Sequence, residues 1–168
     1  MSSPGAELVA RENELARLAR LVSGAREGVS GALVLTGPPG MGKTALVDAA
    51  VAMAGGFAVL RARCVEGEAG LPYATLSQLL LRVLDRRDEL APGHRAALEG
   101  ALALGPPGEH DAVAVGGAVV ALLDAVSADR PVLAVVDDLH WADEASVAAL
   151  RVAARRLGTE GIDRKSVV

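Results

Sequence analysis

Gly37-Pro38-Pro39-Gly40-Met41-Gly42-Lys43-Thr44 is the stretch on which the fold turns. It fits G-x-x-x-x-G-K-[ST], a loop whose backbone amides wrap a phosphate. Of the 17 basic residues only Lys43 and Lys165 are lysines, which leaves 15 arginines. A chain that writes nearly every cation as arginine has kept lysine where a compact ammonium must sit between phosphates. Gly37, Gly40 and Gly42 let the amides turn inward, because a Cβ would crowd the phosphates or forbid the backbone angles. Pro38, Pro39, Met41 and Ala45 complete the set that would touch a bound nucleotide. Lys43 would bridge the β- and γ-phosphates, and Thr44 would place its hydroxyl on Mg²⁺. The bland alternative is a glycine-rich turn before a helix that binds nothing.

The flanks supply the context this motif needs. Residues 32–36 are a short apolar run, read as a strand, and a helical pattern begins at about Gly42. Strand, loop and helix in that order are what give the motif its meaning. Upstream, Leu15, Leu18 and Val22 share one face of a helix over 11–27, with Arg17 and Arg20 on another. Downstream, 57–64 reads as a second strand, followed by helices over 73–87, 94–104 and 112–127, the last two separated by Gly105-Pro106-Pro107-Gly108. Pro131 opens a third strand over 132–136. Asp143 then caps a helix whose Val147, Leu150, Ala154 and Leu157 lie on one side. Strands alternating with helices make the class α/β, with a parallel sheet.

The third strand ends in Asp137-Asp138. A buried strand that delivers an acid at its C-terminal end puts it where parallel sheets bind ligands. Asp137 would hold Mg²⁺, and Asp138 would orient the water attacking the γ-phosphate or accept its proton. The alternative makes Asp137 a helix-capping acid and Asp138 the start of a solvated turn. Lys43 and Asp138 are therefore the catalytic candidates, with Thr44 and Asp137 the metal ligands.

Composition narrows the remaining classes. Apolar residues make up 51% of the 168 residues, but aromatics only 2%, so the core must be built from Ala, Val and Leu. The longest apolar run, 112–123, falls short of the roughly 20 residues that span a bilayer and reads as a buried helix. The N-terminus lacks the basic-then-apolar order of a signal peptide. A single cysteine, Cys64, excludes an internal disulfide and agrees with a reducing cytoplasm. The net charge of -4 offers no general attraction for nucleic acid. His94, His110 and Cys64 have no metal-ligand spacing. His140 and Trp141 read as packing residues, with Trp141 closing the loop against the domain. Arg151, Arg155 and Arg156 read as a solvated or partner-facing surface.

Four stretches occur in an order that resembles a known family over nearly the whole length. They are Glu7-Leu8-Val9-Ala10-Arg11-Glu12, the loop at 37–44, Pro72-Tyr73 followed by Leu76, Leu79 and Leu80, and Asp137-Asp138-Leu139-His140-Trp141-Ala142-Asp143. Together they are similar to the N-terminal ATPase module of large LuxR-family transcriptional regulators of actinobacteria. Such modules are signal-transducing (STAND), AAA-like P-loop ATPases related to the maltose regulator. The resemblance implies a P-loop NTPase fold, three layers α/β/α, with about three of five core strands present in this chain. It implies that Val9 to Arg11 lies beside the adenine of bound ATP or ADP; the family more often reads Val-Gly-Arg, so Ala10 is a departure. It also implies slow hydrolysis, self-association governed by the nucleotide, and DNA contact only through a C-terminal helix-turn-helix absent from this sequence.

On this reading residues 1–6 are a flexible leader and 7–162 a partial ATPase domain, lacking a fourth strand and its lid. The tail 163–168 holds the second lysine and matches the translation of a common sequencing adapter. It is expected to be foreign to the domain. The function expected is that of an ATP-binding switch with weak turnover. A free-standing ATPase, a P-loop phosphotransferase and a fragment that binds no nucleotide remain the alternatives.

Overall fold

The computed structural model describes residues 11–38, 40–105 and 111–158. Helix α1 spans Glu12–Arg26 and α2 spans Lys43–Met53. Strand β1, Ala58–Arg63, leads through α3 (Ala74–Leu80), a 3-10 stretch (Leu81–Glu89), α4 (Pro92–Ala101) and α5 (Ala112–Ser127) to β2, Val132–Asp137. Helix α6, Glu144–Leu157, follows. The strands pair in parallel, from Ala58 opposite Val132 to Arg63 opposite Asp137. A parallel pair needs a long crossover, and the three helices between the strands provide it.

Residue chemistry explains most of these elements. In α1, Glu12 and Glu14 occupy the first turn and Arg26 the last, which suits the helix dipole at both ends. Along β1 burial alternates until Arg61 and Arg63 face outward while Ala62 is fully buried between them. Asp111 caps α5 by accepting from the Ala114 amide at 2.6 Å.

Helices cover both faces of the pair. Ala58, Leu60 and Ala62 join Leu76, Leu80, Leu98, Val119 and Leu122 in the main core beneath α3 to α6. On the other face Val59 and Leu133 pack with Val22, Ala54 and Phe57, while Leu18, Leu46 and Ala50 form a smaller cluster with Leu33 and Leu35. The core is aliphatic, as the scarcity of aromatics requires.

Two expectations are corrected. Residues 32–36 form no strand; their one backbone hydrogen bond among the described residues runs from the Ala32 amide to the Gly158 carbonyl at 3.2 Å. Leu33 and Leu35 instead anchor this extended segment by packing on α1 and α2. The helix expected over 73–87 stays α-helical only to Leu80 and then tightens into the 3-10 stretch, whose Arg86 donates to the Ala125 carbonyl at 3.0 Å. In α6 the buried residues are Ser146, Ala149 and Ala153, while Val147, Leu150, Ala154 and Leu157 are partly buried, Leu150 against the main core.

The buried face of α6 follows from how closely α5 approaches. A Cβ on Gly116 would lie 2.7 Å from the Ala149 carbonyl oxygen and 2.7 Å from Val152 Cβ. Helices that close admit only small side chains at their contact. Gly116→Ala is therefore expected to destabilise the fold by about 1–3 kcal/mol through overpacking, which outweighs the roughly 1 kcal/mol gained in helix propensity. Gly117→Ala meets only the mobile end of Arg156 and is expected to be neutral or stabilising. Urea unfolding of the two variants side by side checks the contrast.

Candidate nucleotide-binding site

The loop takes the shape its glycines permit. Gly40 and Gly42 have φ of 79° and 72°, and Gly37 has φ of 152°. A Cβ at any of the three would meet nothing within 4 Å, so in this state the backbone angles, not crowding, require glycine. Gly42 caps α2 without a side-chain partner, and the amides of Gly42, Lys43, Thr44 and Ala45 find no acceptor among the described residues. Orphan amides at a helix start, with the helix dipole behind them, form an anion site.

Lys43 lies over the same loop. Its Nζ donates to the Gly37 carbonyl at 2.8 Å and to the Pro38 carbonyl at 2.9 Å. The ammonium is thus held on the loop by neutral acceptors, with no carboxylate paired to it among the described residues. Thr44 follows in the first turn of α2 and is exposed, and Met41 is exposed on the loop. Arg11 donates to the Met41 carbonyl at 2.7 Å and to Glu14 at 2.9 Å, which ties the start of α1 to the loop. Val9 and Pro39 lie outside the described residues.

The two acids sit where the sheet delivers them. Asp137 ends β2, and its side chain is only 12% exposed. Asp138 adopts the left-handed conformation, with φ of 56°, and its amide donates to Asp137 Oδ1 at 3.0 Å. Each acid has an arginine of β1 for a neighbour: Arg61 Nη2 lies 3.3 Å from Asp137, and Arg63 Nε lies 3.4 Å from Asp138. Arg61 also donates to Asp48 of α2 at 2.8 Å. One guanidinium therefore links the helix behind the loop to the strand that carries the acids.

The sequence reading missed Arg61, Arg63 and Asp48. The Arg61-Ala62-Arg63 alternation at a strand end held the signal, since it places both cations on the solvent face beside the neighbouring strand's acids. Trp141 departs from its expected role. It is exposed, and its ring lies 5.0 Å from that of His140.

Beside the acids, Asp143 is 2% exposed and serves two helices. Its Oδ1 accepts from the Ser146 amide at 2.8 Å, capping α6, and from the Tyr73 amide at 2.7 Å. Its Oδ2 accepts from the Thr75 amide at 3.1 Å, and Ser146 Oγ accepts from Leu76 at 3.0 Å. Tyr73 is left-handed and gives α3 no side-chain cap, so Asp143 caps that helix from across the chain. Burial opposes its charge, but the Ser146, Thr75 and Tyr73 amides prevail and hold the carboxyl below its ordinary value. Nearby, burial pushes the Cys64 thiol up, so it stays protonated against Thr75.

Among the described residues no group of three or more His, Cys, Asp or Glu could hold a metal by itself. Among the same residues no helix is long and apolar enough to cross a membrane. No curated protein and no solved structure matches the sequence. A family model described as an AAA ATPase domain does match, over residues 7–167, and the chain belongs to that AAA ATPase domain family.

Proposed function

We propose that the chain binds ATP or ADP with Mg²⁺ and acts as the nucleotide-switch module of a LuxR-type transcriptional regulator. The observation that carries the binding is the run of amides from Gly42 to Ala45, without an acceptor among the described residues, with the Lys43 ammonium held beside it on the Gly37 and Pro38 carbonyls. Those amides need an anion, and the ammonium can exchange neutral carbonyls for phosphate oxygens at a gain in charge complementarity.

The residues fit the metal as well. The Thr44 hydroxyl and the Asp137 carboxylate are hard oxygen donors on the loop helix and the strand end. They would hold Mg²⁺, which supplies positive charge to the β- and γ-phosphate oxygens when bound. Asp138, left-handed in its backbone, orients the attacking water or takes its proton. Val9 and Arg11 take the adenine side, and the bond from Arg11 to Met41 couples that side to the loop.

The regulator assignment rests on the resemblance, and one contact supports it. The two stretches that single out this family, Pro72-Tyr73 onward and 137–143, are the two that Asp143 binds together. A nucleotide felt at Asp137 and Asp138 has a short route to α3 through that carboxylate. Self-association through the module is the output we assign to the switch. DNA contact belongs to a helix-turn-helix in other parts of such regulators, and the cytoplasm is the compartment such a role requires.

Residues 32–36, which form no strand and hold one backbone hydrogen bond among the described residues, favour a second reading, in which the domain folds but does not close around nucleotide. Binding of labelled ATP, followed by sedimentation in ATP and in ADP, separates the two. The switch reading expects saturable Mg²⁺-dependent binding, weakened about tenfold in Asp137→Asn, and an association state that differs between the nucleotides. Binding indifferent to Asp137→Asn would overturn the metal assignment, and equal association states would overturn the switch.

A further inference from the structure

Arg61 links α2, the helix behind the loop, to the strand that ends in Asp137, and the resemblance assigns it nothing. Its two carboxylate partners differ sharply. Asp48 is the nearer at 2.8 Å, but it stands 58% exposed on α2; Asp137 lies at 3.3 Å and is 12% exposed. The first is a screened surface pair and the second a sheltered one. Arg61 itself is anchored on β1 opposite Val135 of β2, so its guanidinium reaches Asp137 without a change in the backbone.

We propose that Arg61 is the built-in counter-ion of the metal seat. Without nucleotide it neutralises Asp137, which would otherwise stand nearly buried and unpaired at the strand end. A divalent cation arriving with the nucleotide takes Asp137 by displacing the guanidinium. Arg61 then withdraws onto Asp48, where it is already bonded, so the exchange leaves no cation stranded. The pair thereby sets how readily the site accepts metal, and Asp48 sets how easily Arg61 lets go. The proposal rests on the reading of Asp137 as a metal ligand.

Two substitutions test it because they oppose simple electrostatics. An anionic Mg²⁺–nucleotide complex should bind less well when a nearby positive charge is removed, and better when a negative one is removed. Displacement predicts the reverse on both counts. Arg61→Gln frees Asp137 in the empty protein, so it should lower the dissociation constant of a fluorescent ATP analogue in saturating Mg²⁺ by about threefold, the scale of one partly exposed ion pair. Asp48→Asn removes the fallback partner and should raise that constant by a similar factor. Arg151→Gln, on the exposed side of α6, makes the same charge change as Arg61→Gln and should leave the constant where it was.

Weaker binding in Arg61→Gln, tighter binding in Asp48→Asn, or no change in either overturns the counter-ion role while leaving nucleotide binding intact. Failure of the unmodified protein to bind the analogue at all would sink the nucleotide reading itself, and this inference with it. Circular dichroism of each variant at the assay temperature confirms that the comparison is made on folded protein. Arg61 and Asp48 are both exposed enough for Gln and Asn to be accommodated.

Discussion

Lys43→Ala should lose nucleotide affinity by on the order of a hundredfold while changing thermal stability little. Truncating one partner of a charged, hydrogen-bonded contact to a ligand costs about 2–5 kcal/mol, and the removed ammonium has no substitute here. The other cations of the site are committed elsewhere: Arg61 to Asp48 and Asp137, Arg63 to Asp138, and Arg11 to Glu14 and the Met41 carbonyl. Among the described residues Lys43 bonds only to exposed loop carbonyls, so its loss should change stability by no more than about 0.5 kcal/mol. Lys43→Arg should not rescue binding, because a planar fork does not replace a compact ammonium within a tight loop. Titration with a fluorescent nucleotide, paired with thermal melts, separates the two effects. Loss of fold in Lys43→Ala would contradict the placement of this side chain.

The second large effect is on stability. Asp143→Ala should destabilise the domain by about 3 kcal/mol, because it strands the buried amides of Thr75 and Ser146 and the half-buried amide of Tyr73. For a chain of this length that is a fall in Tm of roughly 6–12 °C. Both α3 and α6 lose their cap together, so the loss should exceed that of the ordinary cap Asp111→Ala, worth about 1 kcal/mol. The charge adds a pH signature. A carboxyl held below its ordinary value in the folded state contributes stability that is fully present above the unfolded value, about 3.9. That contribution is lost as pH falls through the lowered folded value. The stability gap between the unmodified protein and Asp143→Asn should therefore be constant near neutrality and shrink below about pH 4. Urea unfolding across that range checks it, and a gap that widens in acid would contradict the assigned charge.

Much of this was legible in the sequence, for reasons that differ by element. The turn through Gly37, Gly40 and Gly42 was readable because its glycines answer to backbone angles, which are a local demand. The place of Asp137 and Asp138 at a strand end was readable because an apolar run between Pro131 and two acids is the local pattern of a strand. Asp143 was recognisable as the cap of α6 from its neighbours alone. Its second role, capping α3 from 68 to 70 residues away, has no local trace.

The misreadings share one cause, which is that they depend on what lies alongside. The apolar pattern of 32–36 satisfies a strand, but ladder hydrogen bonds need a partner at the right distance, and among the described residues that segment finds only the Gly158 carbonyl. Trp141 looked like a packing residue and lies exposed beside His140. Arg61 and Arg63 drew no reading at all, because only the parallel register sets them beside Asp137 and Asp138.

The central claim is that the amides from Gly42 to Ala45, without an acceptor among the described residues, and the Lys43 ammonium form a phosphate seat. Isothermal titration of the unmodified protein with ATP in excess Mg²⁺ tests it most directly. The account predicts saturable binding of one nucleotide per chain that disappears in Lys43→Ala; no binding at millimolar nucleotide by protein shown to be folded would contradict it.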